Sequence, residues 1–265
     1  MLFSEYTRFQ YARSPLIEVI CQLRFPAILS INTKEPAEFQ EAVRRDFPRY
    51  AARQEQLPPK VTGAGTPNPQ VEPQPPLTNH TFVSGDGHWK INLTKDFIAL
   101  STLRYTRWED FALRLDKPLA QFIQVYQPAF FDRIGLRYVN AVSRKSLGLT
   151  DLLWDDLIHS PYLGILGEPD VDETTVTRSA LDTELTLEDG VRMKVHAGPG
   201  LLNGGKQDPE PKFILDGDIS HSGSLTAERV PDTLDGLHQY AVRFFQGAIT
   251  RELHEAMGPV PLAEI

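Results

Sequence analysis

The segment Phe130–Val142, FFDRIGLRYVNAV, contains the residue pattern that decides the predicted fold. Apolar and polar residues alternate along it, and successive side chains of a β-strand point to opposite faces of a sheet. The segment includes the triplet Leu136-Arg137-Tyr138. Related triplets, Leu23-Arg24-Phe25 and Leu103-Arg104-Tyr105, lie inside two other apolar runs. The three triplets predict three strands that each place an arginine opposite an apolar face.

The first half of the chain predicts the element order strand, helix, strand, strand, helix, strand. This is the order of the ferredoxin-like βαββαβ fold, in which helices cover one sheet face and strands four, one and three are neighbours. Residues 57–78 contain seven prolines and are predicted to form a long extended surface loop. In chain order, the predicted elements are PLIEVICQLRF, EPAEFQEAVRRDF, TFVSGDGHWKINL, DFIALSTLRY, TRWEDFALRLDKPLAQFIQVY and FFDRIGLRYVNAV.

The second half predicts three strands and a long C-terminal helix over residues 232–257, whose apolar stripe recurs at helical spacing. The expected fold class is therefore α+β. A ferredoxin-like half, residues 1–145, is joined to a mainly antiparallel three-stranded half, residues 146–265. The two sheets are expected to be either stacked or continuous. The three strands are TVTRSALDTELTLE, VRMKVHA and KFILDGDIS.

Charge is distributed unevenly between these halves. Residues 1–145 hold 19 Lys and Arg against 14 Asp and Glu, whereas residues 146–265 hold 8 against 21, and the whole chain has a formal net charge of −8. Such an imbalance predicts that the halves face each other or bind partners of opposite charge.

An arginine row on the open sheet face is the candidate site. The predicted fold aligns Arg24, Arg104 and Arg137 on that face, with Lys90 and Arg133 beside them. Guanidinium groups match the oxygens of phosphates, so the row could bind or help to hydrolyse a nucleotide or polyphosphate. The structural alternative is that these arginines pair with the acids of the second half, and both interpretations stay open.

Asp216 and Asp218 form a second candidate, because alternate residues of a strand share one face and oxygen pairs suit Mg²⁺. A solvated or arginine-paired strand face explains the same two residues. Beyond this magnesium ion, no cofactor is predicted.

Other functional classes receive less support. The histidines show no catalytic spacing, and no G-x-S-x-G nucleophile elbow occurs. Nucleic-acid binding is disfavoured by the net charge and by aromatic residues that alternate away from the basic face. A cytoplasmic protein without a membrane span is expected, because the N-terminus lacks a signal-peptide pattern and the single Cys21 excludes an internal disulfide.

Several blocks resemble a sporadically distributed prokaryotic family to which no activity is attached. They are PLIEVICQLRFP, LRYTRWEDF and RIGLRYVN, the last of which, Arg133–Asn140, is the most specific. The resemblance covers nearly the whole chain and implies a shared fold without catalytic residues. A patchy distribution is compatible with mobile or defence-associated gene pairs.

The leading expectation is therefore a non-enzymatic interaction or scaffold protein that acts with a protein partner or as a homo-oligomer. The alternative is a binder or hydrolase of phosphorylated ligands that uses the arginine-lined face.

Overall fold

The computed structural model describes residues 2–5, 8–56, 58–63, 70–187, 190–202, 206 and 208–262. The strands are β1 (Phe9–Tyr11), β2 (Leu16–Arg24), β3 (Arg49–Glu55), β4 (Lys60–Thr62), β5 (Gln70–Glu72), β6 (Leu77–Val83), β7 (Trp89–Leu93), β8 (Phe97–Thr102), β9 (Phe131–Val142), β10 (Leu181–Thr186), β11 (Val191–Gly200), β12 (Lys212–Leu225) and β13 (Pro259–Pro261). The α-helices are α1 (Leu29–Thr33), α2 (Ala37–Val43), α3 (Trp108–Tyr126), α4 (Arg144–Leu147), α5 (Trp154–Leu157), α6 (Val230–Ala248) and α7 (Arg251–Ala256).

Nine of these strands form one antiparallel sheet in the order β10-β11-β12-β9-β2-β8-β7-β6-β3. The predicted α+β class, with a large antiparallel sheet and a long helix near the C-terminus, is confirmed. The strands of the second half join the sheet directly, because β12 pairs with β9 and places Asp218 opposite Arg137. Of the two expected arrangements, the sheet is thus the continuous one.

One face of the sheet is covered by helices. Val19, Cys21 and Leu23 alternate along β2 and are fully buried in the core on this face. The long helices α3 and α6 contribute their apolar stripes to the same core, and the Phe25 and Phe122 rings meet with centroids 4.7 Å apart. Burial of this apolar face is the main favourable contribution to folding.

The opposite face, which we call the open face, carries polar and charged side chains. Along β11, Arg192, Lys194 and His196 are exposed, whereas the residues between them are buried. An antiparallel sheet can have one face on the core and one face in water, and this alternation is its signature. Because paired residues of neighbouring strands point to the same side, the open face is continuous across all nine strands.

The strand predicted over residues 81–93 is wrong in its extent, because it is two strands. β6 and β7 are joined by the turn at residues 84–88, where Asp86 accepts hydrogen bonds from Ser84 and from the His88 backbone. The sequence prediction also missed β3, which pairs with β6 at the sheet edge. Its side chains are all exposed, so no burial pattern marks it.

The predicted loop over residues 57–78 holds more structure than expected. β4 and β5 pair as a short exposed ribbon, and β6 begins at Leu77. The described prolines of this segment lie outside the strands, at positions 58, 59, 73, 75 and 76, which is compatible with pairing in a proline-rich segment. Residue 57 and residues 64–69 lie outside the described residues.

The helix predicted over residues 232–257 is interrupted. α6 ends at Ala248 and α7 starts at Arg251, because Ile249 adopts an extended conformation and bridges to Ile158. The Thr250 hydroxyl caps α7 by accepting from the Leu253 N–H, so a tertiary contact and a cap override a continuous helical pattern.

Among the described residues, every helix is too short or too polar to cross a membrane.

Candidate functional site

Two arginines of β9 are bonded to two aspartates of β12 on the open face. The Arg137 guanidinium donates to both carboxylate oxygens of Asp216, from Nε at 2.8 Å and from Nη2. Arg133 Nη2 donates to both oxygens of Asp218, at 2.7 and 2.9 Å. We call this arrangement the Arg–Asp ladder. It joins the basic first half of the chain to the acidic second half, as the structural interpretation of the arginines expected.

The ladder explains the glycine of the RIGLRY block. Arg133 lies opposite Ser222, four residues from Asp218 on the facing strand, so its side chain must run along β9 to reach that carboxylate. It does so across Gly135: a Cβ atom there would lie 2.7 Å from the Arg133 Cζ. Only a residue without a side chain leaves this path open.

The Asp216–Arg137 bonds have an electrostatic consequence. They raise the pKa of the Arg137 guanidinium, so this group stays charged. Its side chain is nevertheless 46% exposed, which limits what the pair contributes to stability.

The placement of Arg104 on the open face is wrong. β8 ends at Thr102, and Leu103 and Arg104 lie in a bend, where the Leu103 side chain is 62% exposed. Ile98 and Leu100 face the core. Arg104 lies six and four residues after them, so a longer β8 would direct Arg104 to the same face, toward the helices. The Arg104 side chain has no hydrogen-bond or ion-pair partner among the described residues, and it is not part of an arginine row.

The remaining predicted cations lie apart from the ladder. Arg24 faces Arg133 across the strand pair, and its guanidinium is 3.6 Å from Asp96. Lys90 lies on β7, where the pairing register brings it near Arg49 of the edge strand β3. Arg53 continues the same edge. We call Arg49, Arg53 and Lys90 the cationic patch; within the described part of the chain, none of them has a carboxylate partner.

The proposed magnesium ligands are already bonded. Asp216 and Asp218 each accept from a guanidinium, which supplies the positive charge that a cation would otherwise provide. No group of three or more His, Cys, Asp or Glu side chains suited to a metal ion is found among the described residues.

A cavity of about 310 Å³ lies on the helix-covered side of the sheet, and sequence reasoning missed it. Its walls come from the N-terminal segment, the start of α3, β9 and α6, which are far apart in the chain. We call it the aromatic cavity, because its lining includes Tyr11, Tyr105, Trp108, Tyr138 and Phe245.

The polar centre of the aromatic cavity is the pair Tyr138 and His238. The Tyr138 hydroxyl lies 2.8 Å from His238 Nδ1, and the Trp108 ring stacks on the imidazole with centroids 4.7 Å apart. The pKa of His238 is lowered to about 4, mainly by burial and also by the Arg8 charge, while the Glu109 charge opposes both. Burial also raises the pKa of Tyr138 well above its ordinary value. Both side chains are therefore uncharged at neutral pH.

Neither the protein-family models nor the curated proteins include a match to this chain.

We predict that Gly135→Ala destabilises the protein by no more than about 1 kcal/mol, because the new methyl group displaces the flexible end of the Arg133 side chain and so weakens its pair with Asp218. Urea unfolding measures the change. In an Arg133→Ala background the same substitution should be neutral or slightly stabilising, since nothing lies over residue 135. Gly200→Ala, at a strand glycine with ordinary contacts, is the matched control. Equal losses in both backgrounds would show that Arg133 does not require the glycine.

We predict that buried His238 makes the protein sensitive to acid. Its folded-state pKa of about 4 lies below the ordinary 6.5, so the unfolded chain binds the proton more tightly. Stability is then complete above pH 6.5 and falls between pH 6.5 and about 4, by about 2–3 kcal/mol at pH 4.5. The free energy of unfolding of His238→Phe should vary less over this range, whereas His159→Gln, at an exposed position, should retain the wild-type slope. An unchanged slope in His238→Phe contradicts the assignment.

Proposed function

We propose that this protein is a non-enzymatic interaction protein whose open face binds an acidic surface of a partner protein. The observation that carries the proposal is the cationic patch, three cations without a carboxylate partner in the described structure, on a chain whose formal net charge is −8.

The cationic patch places three positive charges close together on the open face. Val83 lies opposite both Arg49 and Lys90, so these cations are separated by a single strand, about 10 Å across the sheet. That distance is comparable to the Debye length at physiological ionic strength, so the cations still repel each other. An acidic partner surface would relieve this repulsion, and charge complementarity of this kind favours specific association.

The position of the patch favours a protein over a small phosphorylated ligand. β3 is the last strand of the sheet, and in the described chain it pairs only with β6. Its outer backbone groups are therefore available to an added strand, a recurring mode of protein recognition. A flat strand edge offers no pocket in which a nucleotide would be enclosed.

The alternative function, binding or hydrolysis of phosphorylated ligands, ranks lower. Arg133 and Arg137, the two arginines of β9 on the open face, already donate to carboxylates. Nucleic acid also ranks lower, because the Trp89 and Tyr138 rings belong to the core side, where they cannot stack on bases from the open face.

We also infer that β2, β7, β8 and β9 form a ferredoxin-like unit, to which β3 and β6 are added. The order β9-β2-β8-β7, antiparallel throughout, supports this inference.

The test is binding to the product of the adjacent gene, the partner expected for a gene pair, measured by co-purification and by titration at several salt concentrations. Charge reversal of Arg49, Arg53 and Lys90 to Glu should weaken binding at least tenfold, and raised salt should weaken wild-type binding. Reversal of Arg44 and Arg251, exposed cations on helices, is the matched control and should have little effect.

Three outcomes would contradict the proposal. They are equal binding by the two charge-reversed variants, a homo-oligomer that the patch variant leaves intact, and a monomer that binds nothing. A thermal shift with polyphosphate that depends on the patch would instead favour the alternative function.

A further inference from the structure

We infer that the aromatic cavity is a binding site for a small uncharged heteroaromatic molecule of nucleobase type. This inference does not depend on the proposed function, because the cavity lies on the helix side of the sheet and the cationic patch on the open face.

The shape and lining of the cavity suit a flat ring. A volume of about 310 Å³ is at the lower end of the range of small-molecule sites, so it matches a ligand of one or two rings. Trp108 and His238 stack on each other nearly parallel, with 10° between their planes, and both rings contribute to the wall of the cavity. Tyr105 and Tyr138 meet edge to face at 5.7 Å beside it. Aromatic walls of this kind favour stacking and edge contacts with another ring.

The charges around the cavity disfavour an ionic ligand. The two cationic residues of the lining, Arg8 and Arg107, are each ion-paired, with Glu109 and Asp110 respectively. An anion would therefore find no uncompensated cation. A cation would meet these two arginines, and no carboxylate is part of the lining. With His238 neutral as well, the site matches a molecule without formal charge.

The His238 imidazole can orient such a molecule. We assign the Tyr138 hydroxyl as the donor to His238 Nδ1, 2.8 Å away, which leaves the proton of the neutral imidazole on Nε2, and Nε2 has no acceptor among the described residues. The His238 residue is only 8% exposed and forms part of the cavity wall. A ring nitrogen or carbonyl oxygen of a heteroaromatic ligand would accept a hydrogen bond from this N–H.

The chain termini close the cavity on its outer side. β1 and β13 pair as a two-stranded ribbon, with Gln10 opposite Val260, and the Leu262 N–H donates to the Arg8 carbonyl oxygen. Gln10 and Leu262 both line the cavity. The ribbon thus forms one wall of the site.

The experiment is a titration of the full chain with adenine, uracil, orotate and indole, monitored by saturation-transfer NMR and by tryptophan fluorescence. Adenine or uracil should bind. Orotate, the carboxylated counterpart of uracil, and indole, a ring without a hydrogen-bond acceptor, should bind at least tenfold more weakly. His238→Phe keeps a flat ring but removes the donor, and the lost hydrogen bond corresponds to a loss of about tenfold in affinity.

Ala241→Phe places a ring inside the cavity and should abolish binding, whereas Leu113→Phe, at an exposed position of α3, should not. If Ala241→Phe fails to fold, His238→Phe carries the test. Failure of both adenine and uracil to bind overturns the inference, as does unchanged affinity in His238→Phe. Equal affinity for orotate or indole would overturn the assigned ligand chemistry.

Discussion

The antiparallel pairing of β9 with β12, which brings the Arg–Asp ladder together, is the constraint on which the rest of the structure depends. A chain whose first half is basic and whose second half is acidic could have formed two separate domains. Instead, Arg133 and Arg137 bind Asp218 and Asp216 across one strand pair, and the sheet continues from one half into the other. A one-residue slip of β12 along β9 would move both aspartates to the face opposite the arginines, so the ladder also specifies register.

Because the ladder neutralises the centre of the open face, it also determines where positive charge remains. That charge lies at the β3 edge, in the cationic patch, far along the strand order from the acidic strands β10 and β12. The opposite face holds an uncharged aromatic cavity. The protein therefore has two surfaces of different chemistry, one suited to an acidic macromolecule and one suited to a small neutral ring.

Sequence patterns predicted the strands in which the alternation of apolar and polar residues matches their burial in the structure. Along β2 and β9 the apolar residues face the core, and Arg24, Arg133 and Arg137 face away, as expected. The prediction failed for Arg104 because it did not consider which residues of β8 face the core. Ile98 and Leu100 are buried in the core, and Arg104 lies an even number of residues after them, so an extended strand would not direct it to the open face. The edge strand β3 was missed because both of its faces are exposed.

The aromatic cavity could not be predicted, since its lining residues have ordinary positions in their own elements and only the tertiary fold brings them together. The arginines could have bound a ligand or paired with acids of the same chain. Only the register of β12 on β9 decides between these interpretations, and the composition of either strand does not determine that register.

The most direct measurement of the ladder is a double-mutant cycle on Arg137 and Asp216, with urea unfolding of both single alanine variants and the double variant. The account predicts a coupling energy of about 1 kcal/mol, larger than that of the exposed helical pair Arg251 and Glu255, because Asp216 is only 11% exposed at its side chain and receives two hydrogen bonds. A coupling indistinguishable from zero would contradict the claim that these charges join the two halves of the sheet.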